Sequence, residues 1–373
     1  MGKVMIKIVS PSGAIDPRYI DLATEVLRGW GYAVSEAVHA RGKVGRFAAS
    51  DDERVADLSD ALADPAVDMI LCARGGYGLQ RIIDRIPPIH KPIIGFSDIT
   101  ALHMLAAQTG QATIHAMMCK GIMDEGLRTQ DKRLKSTDSE NSETGVASPL
   151  SFLQRALAHE TLHYELPAHP LNRAGKIKGT LVGGNLSVLY GLQGTAYGLD
   201  ERLRMKDERL NSAGDAGVSP AVEKHSTETS ETKVISPSSS VLHPLSQESP
   251  SSLSPSLCRE GWGGAPLILF IEDVGERHYH IDRMMNNLRL SGVLAKISGL
   301  IVGQFSDCED DPSMGCTVYE TIRHAVEPYH YPVVFNFPAG HVEENMPLYL
   351  NAPVEIDVRE DYSSSIHSFF KSS

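Results

Sequence analysis

Short apolar runs alternate with amphipathic stretches through the first part of the chain, and this alternation constrains the fold more than any other feature. Apolar runs of strand length occur at 4–9, 69–73 and 92–96. Between them, the stretches 18–30 and 51–63 place apolar residues on one face of a helix. Strands separated by helices of this length are typical of a parallel sheet covered on both faces. We therefore predict an α/β fold for this region.

The chain from Gly175 onward has a mixed pattern, with more turns per strand. The run 179–185 ends in glycines and leads into a helical segment at 186–192, and a second amphipathic helix contains Met284 and Met285. Further strands are predicted at 267–271, 300–304 and 333–335, with a last strand pair within 348–358. This part of the chain is predicted to be rich in β-structure.

With 373 residues, the chain is long enough for two domains, which we expect at 1–165 and 175–360. Two stretches within them, 130–149 and 207–263, are polar, and the second is rich in Ser and Pro. Such a composition cannot bury enough apolar surface to offset the entropy lost on ordering. We predict that both are disordered insertions in loops, where added length carries only a small closure penalty.

The charge balance excludes some classes of partner. The chain has 47 acidic and 35 basic residues, a net charge of -12, and no basic stripe. A nucleic-acid-binding protein needs such a stripe to displace counterions. No run reaches the roughly 18 apolar residues of a membrane span, and the N-terminal run is too short for a signal peptide. We expect a cytoplasmic protein with no nucleic-acid or membrane partner.

The cysteines and the paired histidines give little reason to expect a metal. The five cysteines contain no C-x-x-C pair, and their odd number favours reduced thiols over a disulfide framework. They are Cys72, Cys119, Cys258, Cys308 and Cys316. The histidines His278 and His280 lie close together but lack a convincing third ligand. We predict no bound metal.

The stretch 93–100, Ile-Ile-Gly-Phe-Ser-Asp-Ile-Thr, holds a candidate nucleophile, Ser97. An apolar strand ends at Gly95, and a helix is predicted just after the serine. A hydroxyl at such a point is exposed at a strand end, and the following backbone N–H groups can hold a developing oxyanion. Gly-x-Ser-Asp matches the Gly-x-Ser-x-Gly elbow only in part, so the alternative is that Ser97 simply caps the helix.

The stretch 74–78, Arg-Gly-Gly-Tyr-Gly, follows the strand at 69–73. Its three glycines leave backbone N–H groups bare, which suits an anion or an oxyanion. It has neither the spacing of a dinucleotide fingerprint nor the lysine of a P-loop. It is either a plain tight turn or, if Ser97 is the nucleophile, the source of a second oxyanion donor.

Candidates for the acid and the base lie in the second half of the chain. Glu272 and Asp273 end an apolar strand, where a carboxylate can orient a histidine or cap the next helix. His341 follows a strand on a Pro- and Gly-containing loop, from which it is free to reach a site. His103 and His115, both near Ser97 in sequence, are alternative bases.

Together these stretches resemble the LD-carboxypeptidase (muramoyltetrapeptide carboxypeptidase) family of serine peptidases, whose relatives include the microcin C self-immunity peptidases. The two motifs at 74–78 and 95–98, in this order, are specific as a pair, although each alone is weak. The resemblance continues at 183–186, 271–276, 281–284 and 340–341. It covers most of the chain apart from the two predicted insertions and the last dozen or so residues.

The resemblance implies an N-terminal Rossmann-like domain with a parallel sheet and a smaller, β-rich C-terminal domain, with the active site between them. It implies Ser97 as the nucleophile, Glu272 as the orienting acid and His341 as the general base. Glu272 is preferred to Glu276 because the family's acid opens the Glu-Asp pair.

The resemblance also implies the groups that hold the substrate. The implied oxyanion donors are the backbone N–H groups of Asp98 and of Gly76 or Gly75. A carboxypeptidase must bind a free carboxylate, and Arg74 is either a candidate cation for it or a structural residue. Residues 114–118, Ile-His-Ala-Met-Met, differ from the His-Gly-Pro-like stretch of the family, which leaves the substrate contacts there open.

The implied reaction is hydrolysis of a cytoplasmic murein tetrapeptide, a small peptide substrate, with release of its terminal D-alanine during peptidoglycan recycling. The implied enzyme is a homodimer and needs no metal or organic cofactor. One alternative is a peptidase of the same family that cleaves a peptidyl-nucleotide antibiotic. Another is a non-catalytic, Rossmann-like anion-binding protein, in which Ser97, Glu272 and His341 would not converge.

Overall fold

Two β-sheets organise the chain, and each is built mostly from one half of the sequence. The computed structural model describes residues 2–135, 148–200, 203 and 266–370. Within these residues an N-terminal sheet of mainly parallel strands is separate from a C-terminal mixed sheet. The predicted fold class is confirmed.

The first sheet has six strands in the order β11-β5-β4-β3-β1-β2. The first five strands in the chain are parallel to one another, and β11 is antiparallel to β5. Their bounds are β1 (Met5–Val9), β2 (Ala33–Glu36), β3 (Met69–Cys72), β4 (Ile93–Gly95), β5 (Thr113–His115) and β11 (Leu348–Leu350). All four residues of β3 are buried, as expected for a central parallel strand covered on both faces.

The second sheet has seven strands in the order β10-β9-β8-β7-β12-β13-β6. The strands from β7 to β10 are parallel, and β12, β13 and β6 extend the sheet in antiparallel pairs. Their bounds are β6 (Leu162–Leu166), β7 (Gly175–Asn185), β8 (Leu267–Val274), β9 (Gly299–Ser306), β10 (Val333–Val334), β12 (Ala352–Val358) and β13 (Ser364–Ser368). Burial alternates along β12, so one face of this part of the sheet is more exposed than the other.

Helices connect the strands and cover the sheets. They are α1 (Pro17–Gly29), α2 (Asp51–Ala63), α3 (Thr100–Ala106), α4 (Cys119–Lys135), α5 (Pro149–Leu157), α6 (Leu186–Leu192), α7 (His278–Leu290), α8 (Val293–Lys296) and α9 (Val318–Ala325). The predicted helix at 51–63 is confirmed, with Ser50 at its N-cap and Glu53 completing a capping box.

Two strands belong to the sheet that is built mostly from the opposite half of the chain. Strand β6 lies before residue 175 but belongs to the second sheet, and β11 lies late in the chain but completes the first. Residues 348–358 do form two strands, but these pair in different sheets. The predicted domain limits, 1–165 and 175–360, stay a prediction.

The predicted insertions fall mostly outside the described residues. Helix α4 continues to Lys135 and α5 begins at Pro149, so the start of the stretch 130–149 is helical. Residues 136–147 and all of 207–263 lie outside the described part of the chain. The tail after Glu360, in contrast, includes β13, which pairs with β12 and β6.

A buried arginine joins the loops that follow β1 and β3. Arg54 of α2 has no exposed side-chain surface, and its guanidinium donates to the Pro11 carbonyl at 2.5 Å and to the Gly78 carbonyl at 3.2 Å. It also donates to the Asp51 carboxylate at 2.5 Å. Because both loops border the strand ends where catalysis is expected, Arg54 stabilises the frame of the site without facing it.

We expect the substitution Arg54→Met to lower the free energy of unfolding by about 2–4 kcal/mol, because it leaves two buried carbonyls without their donor and removes one of the two arginines that bind Asp51. Urea unfolding at pH 7 measures the change. The matched control is Arg85→Met, which breaks an exposed ion pair with Asp52 and is expected to change stability little. Equal destabilisation by the two variants would contradict the role given to Arg54.

Candidate active site

Ser97 occupies a strained position between β4 and α3. It opens a 3-10 turn, Ser97–Ile99, and its backbone φ of 65° lies in the left-handed region, which residues with a side chain rarely adopt. A strained serine on a sharp strand-to-helix turn is the geometry of a nucleophile elbow. Among the described residues, the Ser97 side chain makes no capping hydrogen bond to the turn or to α3, so the helix-cap alternative is not supported.

The Arg-Gly-Gly-Tyr-Gly loop passes directly beside this serine. A Cβ at Gly75 would lie 2.8 Å from Ser97 Cβ and 3.1 Å from Ser97 Oγ, so only glycine fits there. Gly76 has a φ of 104°, and its N–H donates to no partner among the described residues. A free backbone amide next to the hydroxyl is what an oxyanion donor requires.

The side chain of Asp98 holds the neighbouring loops together. Its buried carboxylate accepts hydrogen bonds from Ser12 Oγ at 2.5 Å and from the Leu79 N–H at 3.0 Å. Burial raises the pKa of Asp98, and these two donors oppose the rise. Asp98 thus connects the loops after β1 and β3 to the turn that carries Ser97.

Glu272 and His341 form a hydrogen-bonded pair in which the carboxylate is buried and the imidazole is partly exposed. Glu272 lies on β8 with no exposed surface, and its Oε2 accepts from His341 Nδ1 at 2.9 Å. The bond fixes the Nδ1–H tautomer of His341 and leaves Nε2 able to accept a proton. A Cβ at Gly340 would lie 3.0 Å from Glu272 Oε2, so the glycine before His341 permits this close approach.

The Glu272 carboxyl is ionised despite its burial. Burial acts to raise its pKa, but the imidazoles of His115 and His341 outweigh that effect, and the pKa lies below its ordinary value. The carboxylate can therefore orient the His341 ring and stabilise its cation.

Ser97 and His341 face the same cavity, which has a volume of about 640 Å³. The Phe96 ring contacts the His341 ring edge-on, with centroids 4.8 Å apart, and limits how the imidazole can turn. No hydrogen bond joins Ser97 Oγ to His341 in the described part of the chain. Catalytic hydrogen bonds are often long without substrate and tighten when it binds.

The two alternative bases lie outside this cavity. His103 and His115 are both buried, and neither lines the cavity that Ser97 faces. His103 Nε2 donates to the Gly95 carbonyl at 3.0 Å, and burial lowers its pKa to about 3, which makes it a poor base at neutral pH. His115 lies behind the site, near Glu272.

The other sequence candidates have structural partners. His278 Nε2 donates to Thr321 Oγ1 at 2.7 Å, and His280 Nδ1 contacts Glu276 Oε2 at 2.8 Å. Among the residues that the structure covers, no group of three or more His, Cys, Asp or Glu side chains is arranged to hold a metal ion. Cys258 lies outside the described residues, and the other four cysteines are free thiols.

Helix α4 contributes a cavity wall to which the sequence analysis gave no role. Arg128 on this helix pairs with Glu343, which follows His341, at 2.6 Å. Lys120 pairs with Asp124 at 2.5 Å. Arg74 differs from these cations, because within the described ranges it has no carboxylate partner and donates only to the Ala14 carbonyl at 2.6 Å. The amino-acid sequence of α4 alone could not predict this contact with the cavity, because it does not indicate which loop the helix packs against.

Comparison with known proteins identifies the family. Residues 6–116 match the LD-carboxypeptidase N-terminal domain, and residues 257–356 match the LD-carboxypeptidase C-terminal domain. The chain belongs to the LD-carboxypeptidase family. It is therefore a peptidase, and the resemblance stated from its motifs is confirmed.

Proteins similar to this LD-carboxypeptidase match nearly its whole length. A Streptomyces coelicolor protein that carries the name of a carboxypeptidase is 28% identical over 94% of this chain and 90% of its own length. The crystal structure of muramoyltetrapeptide carboxypeptidase from Oxalobacter formigenes superposes with a TM-score of 0.68 at 20% identity, covering 99% of this chain and 100% of that one. The microcin C7 self immunity protein MccF gives a TM-score of 0.63 at 17% identity, covering 99% and 97%.

The described part of this LD-carboxypeptidase contains no helix long and apolar enough to cross a bilayer. Its cytoplasmic location and homodimeric state stay predictions.

The buried His103 predicts a specific pH dependence of stability. Its folded-state pKa of about 3 lies below the ordinary value of 6.5, so the unfolded chain binds the proton more readily. Stability contributed by the neutral ring is then lost as the pH falls below about 6.5, by about 1.4 kcal/mol per pH unit. We expect His103→Gln, which can still donate to the Gly95 carbonyl, to lose stability less steeply than the parent.

Urea unfolding at pH 7, 6, 5 and 4 tests this expectation. Parallel stability curves for the parent and His103→Gln would contradict it.

Proposed function

We propose that this peptidase is a serine-type LD-carboxypeptidase that releases the terminal D-alanine of a murein tetrapeptide. The hydrogen bond from His341 to Glu272, beside a cavity that Ser97 also faces, is the observation that carries the proposal. The name of the Oxalobacter relative supports the substrate class.

In the proposed reaction, Ser97 Oγ attacks the carbonyl carbon that precedes D-alanine. His341 Nε2 takes the hydroxyl proton, and Glu272 stabilises the resulting imidazolium. When the tetrahedral intermediate collapses, His341 returns the proton to the leaving amine, and D-alanine departs. Water, activated by His341, then attacks the acyl carbon and releases the shortened peptide and Ser97.

Backbone amides are the proposed donors to the oxyanion. They are the free N–H of Gly76 and the N–H of Asp98, the residue that follows Ser97. The close approach of Gly75 to Ser97 supports this choice. Loss of one such donor typically lowers the rate on the order of 100- to 1000-fold.

Arg74 is the proposed partner of the substrate's terminal carboxylate. It lines the cavity with Ser97, and its charge is not neutralised by a carboxylate of the described residues. A guanidinium that is free of internal ion pairs can bind a carboxylate through charge-assisted hydrogen bonds.

We expect Ser97→Ala to reduce D-alanine release from murein tetrapeptide by at least about 10⁴-fold, because the attacking oxygen is lost while the fold is unchanged. D-alanine is measured in an oxidase-coupled assay, and the urea midpoint checks the fold. Ser291→Ala, a change of the same kind at the end of α7, is the control and keeps parental activity. Tetrapeptide turnover by Ser97→Ala would refute the mechanism. A peptidyl-nucleotide substrate, assayed with the parent beside the tetrapeptide, separates the two candidate substrates.

We expect Arg74→Met to abolish the preference for a free C-terminus. The parent should cleave the tetrapeptide acid better than its C-terminal amide by about tenfold or more, the contribution of a charged hydrogen bond. In the variant, KM for the acid should rise toward that for the amide. Lys120→Met is the control, because it removes a cavity cation that is already paired with Asp124, and it should keep the preference for the acid. Loss of this preference in both variants would indicate a general effect of charge and contradict the role given to Arg74.

A further inference from the structure

A second imidazole, that of His115, approaches the Glu272 carboxylate. His341 binds Oε2, whereas His115 Nε2 lies 3.9 Å from Oε1. The side chains of His115 and Glu272 have no exposed surface. His115 comes from β5 of the first sheet and Glu272 from β8 of the second, so this approach joins the two sheets behind the cavity.

The facing atoms have no other partner. Among the described residues, neither ring nitrogen of His115 has a hydrogen bond, and Glu272 Oε1 has none either. Buried polar atoms are nearly always paired, and an unpaired oxygen of a buried carboxylate is especially unfavourable. A movement of about 1 Å would bring Nε2 and Oε1 to hydrogen-bond distance and satisfy both atoms.

Two phenylalanine rings, a second histidine and the Glu272 carboxylate surround the His115 ring. Its ring packs edge-on against Phe270, with centroids 5.0 Å apart, and against Phe96 at 5.7 Å. The titratable groups that face it are His103, with ring centroids 6.5 Å apart, and Glu272. His103 carries no charge, because burial holds its pKa near 3, so Glu272 is the charged group that faces His115 Nε2.

We propose that His115 is a positioning residue that donates its Nε2–H to Glu272 Oε1. This contact fixes the plane of the carboxylate, so that Oε2 points to His341 Nδ1. It also stabilises the carboxylate anion, which lowers the affinity of the Glu272–His341 pair for a proton and keeps His341 available as a base. The inference rests on the proposed function, because its effect is exerted through the general base.

The pH profile of kcat/KM for the tetrapeptide tests the proposal. His115→Phe keeps an aromatic ring between Phe96 and Phe270 but removes the donor. We expect kcat/KM at pH 7 to fall about ten- to a hundredfold, the loss typical of a hydrogen bond to a charged group. The acidic limb of the profile should move to higher pH by about one unit, because the pair then binds its first proton more tightly.

Two variants separate positioning from packing. His115→Gln restores an N–H donor at a similar distance along the side chain and should recover most of the activity and the parental acidic limb. His103→Gln changes an equally buried neighbour that does not face Glu272 and should leave the acidic limb in place. A purely structural role for His115 predicts instead a lower urea midpoint with an unshifted acidic limb, and that result would overturn the proposal.

Nitrogen-15 NMR of the histidine rings tests the same contact without a substrate and without a variant. We expect His115 in the parent protein to carry a proton on Nε2, and an Nδ1–H tautomer would overturn the proposal. The His341 ring, titrated in the parent and in His115→Phe, should take its proton at higher pH in the variant.

The two hypotheses fail in different ways. If the parent does not cleave the tetrapeptide but His115 holds the Nε2–H tautomer and shifts the His341 titration, the proposed substrate is wrong and the positioning role stands. If the parent cleaves the tetrapeptide through Ser97 but His115→Phe keeps the parental rate and acidic limb, only the positioning role falls.

Discussion

The site depends on one hydrogen bond, from His341 Nδ1 to Glu272 Oε2, made where water does not reach the carboxylate. A carboxylate in such surroundings is unfavourable unless donors compensate for its lost hydration. The same bond selects the histidine tautomer and holds the ring toward the cavity. The negative charge that makes the Glu272 carboxylate unfavourable to bury is thus the same charge that stabilises a cation on His341.

Close backbone approach is the second requirement, and glycine meets it at two places. Gly75 lets the Arg-Gly-Gly-Tyr-Gly loop pass beside Ser97, and Gly340 lets the His341 loop pass over Glu272. A Cβ at either position would contact a reacting group or its direct partner. Glycine is therefore required at these two positions by the short distance between neighbouring loops rather than by a need for local flexibility.

The chain brings this site together from two sheets, which explains where sequence analysis succeeded and where it did not. Local periodicity located α2 and β3 closely, because burial of one helix face or of a whole strand is recorded in neighbouring residues. It did not reveal that β6 and β11 join the opposite sheets, or that β13 follows Glu360. Strand pairing over such separations leaves no local pattern, and a three-residue strand is too short to show a period.

The sequence alone indicated the alternation of strands and helices in the first part of the chain, the turn that carries Ser97 and the residue types available for acyl transfer, since each depends on neighbouring residues. Whether His341, His103 or His115 serves the site was a matter of tertiary structure, because the three rings have the same chemistry. Packing places His341 on the cavity wall, where it is hydrogen-bonded to Glu272 Oε2. His103 instead binds a backbone carbonyl, and His115 faces Glu272 Oε1. The surroundings of each imidazole are set only once the two sheets have packed together, because His115 and Glu272 come from different sheets.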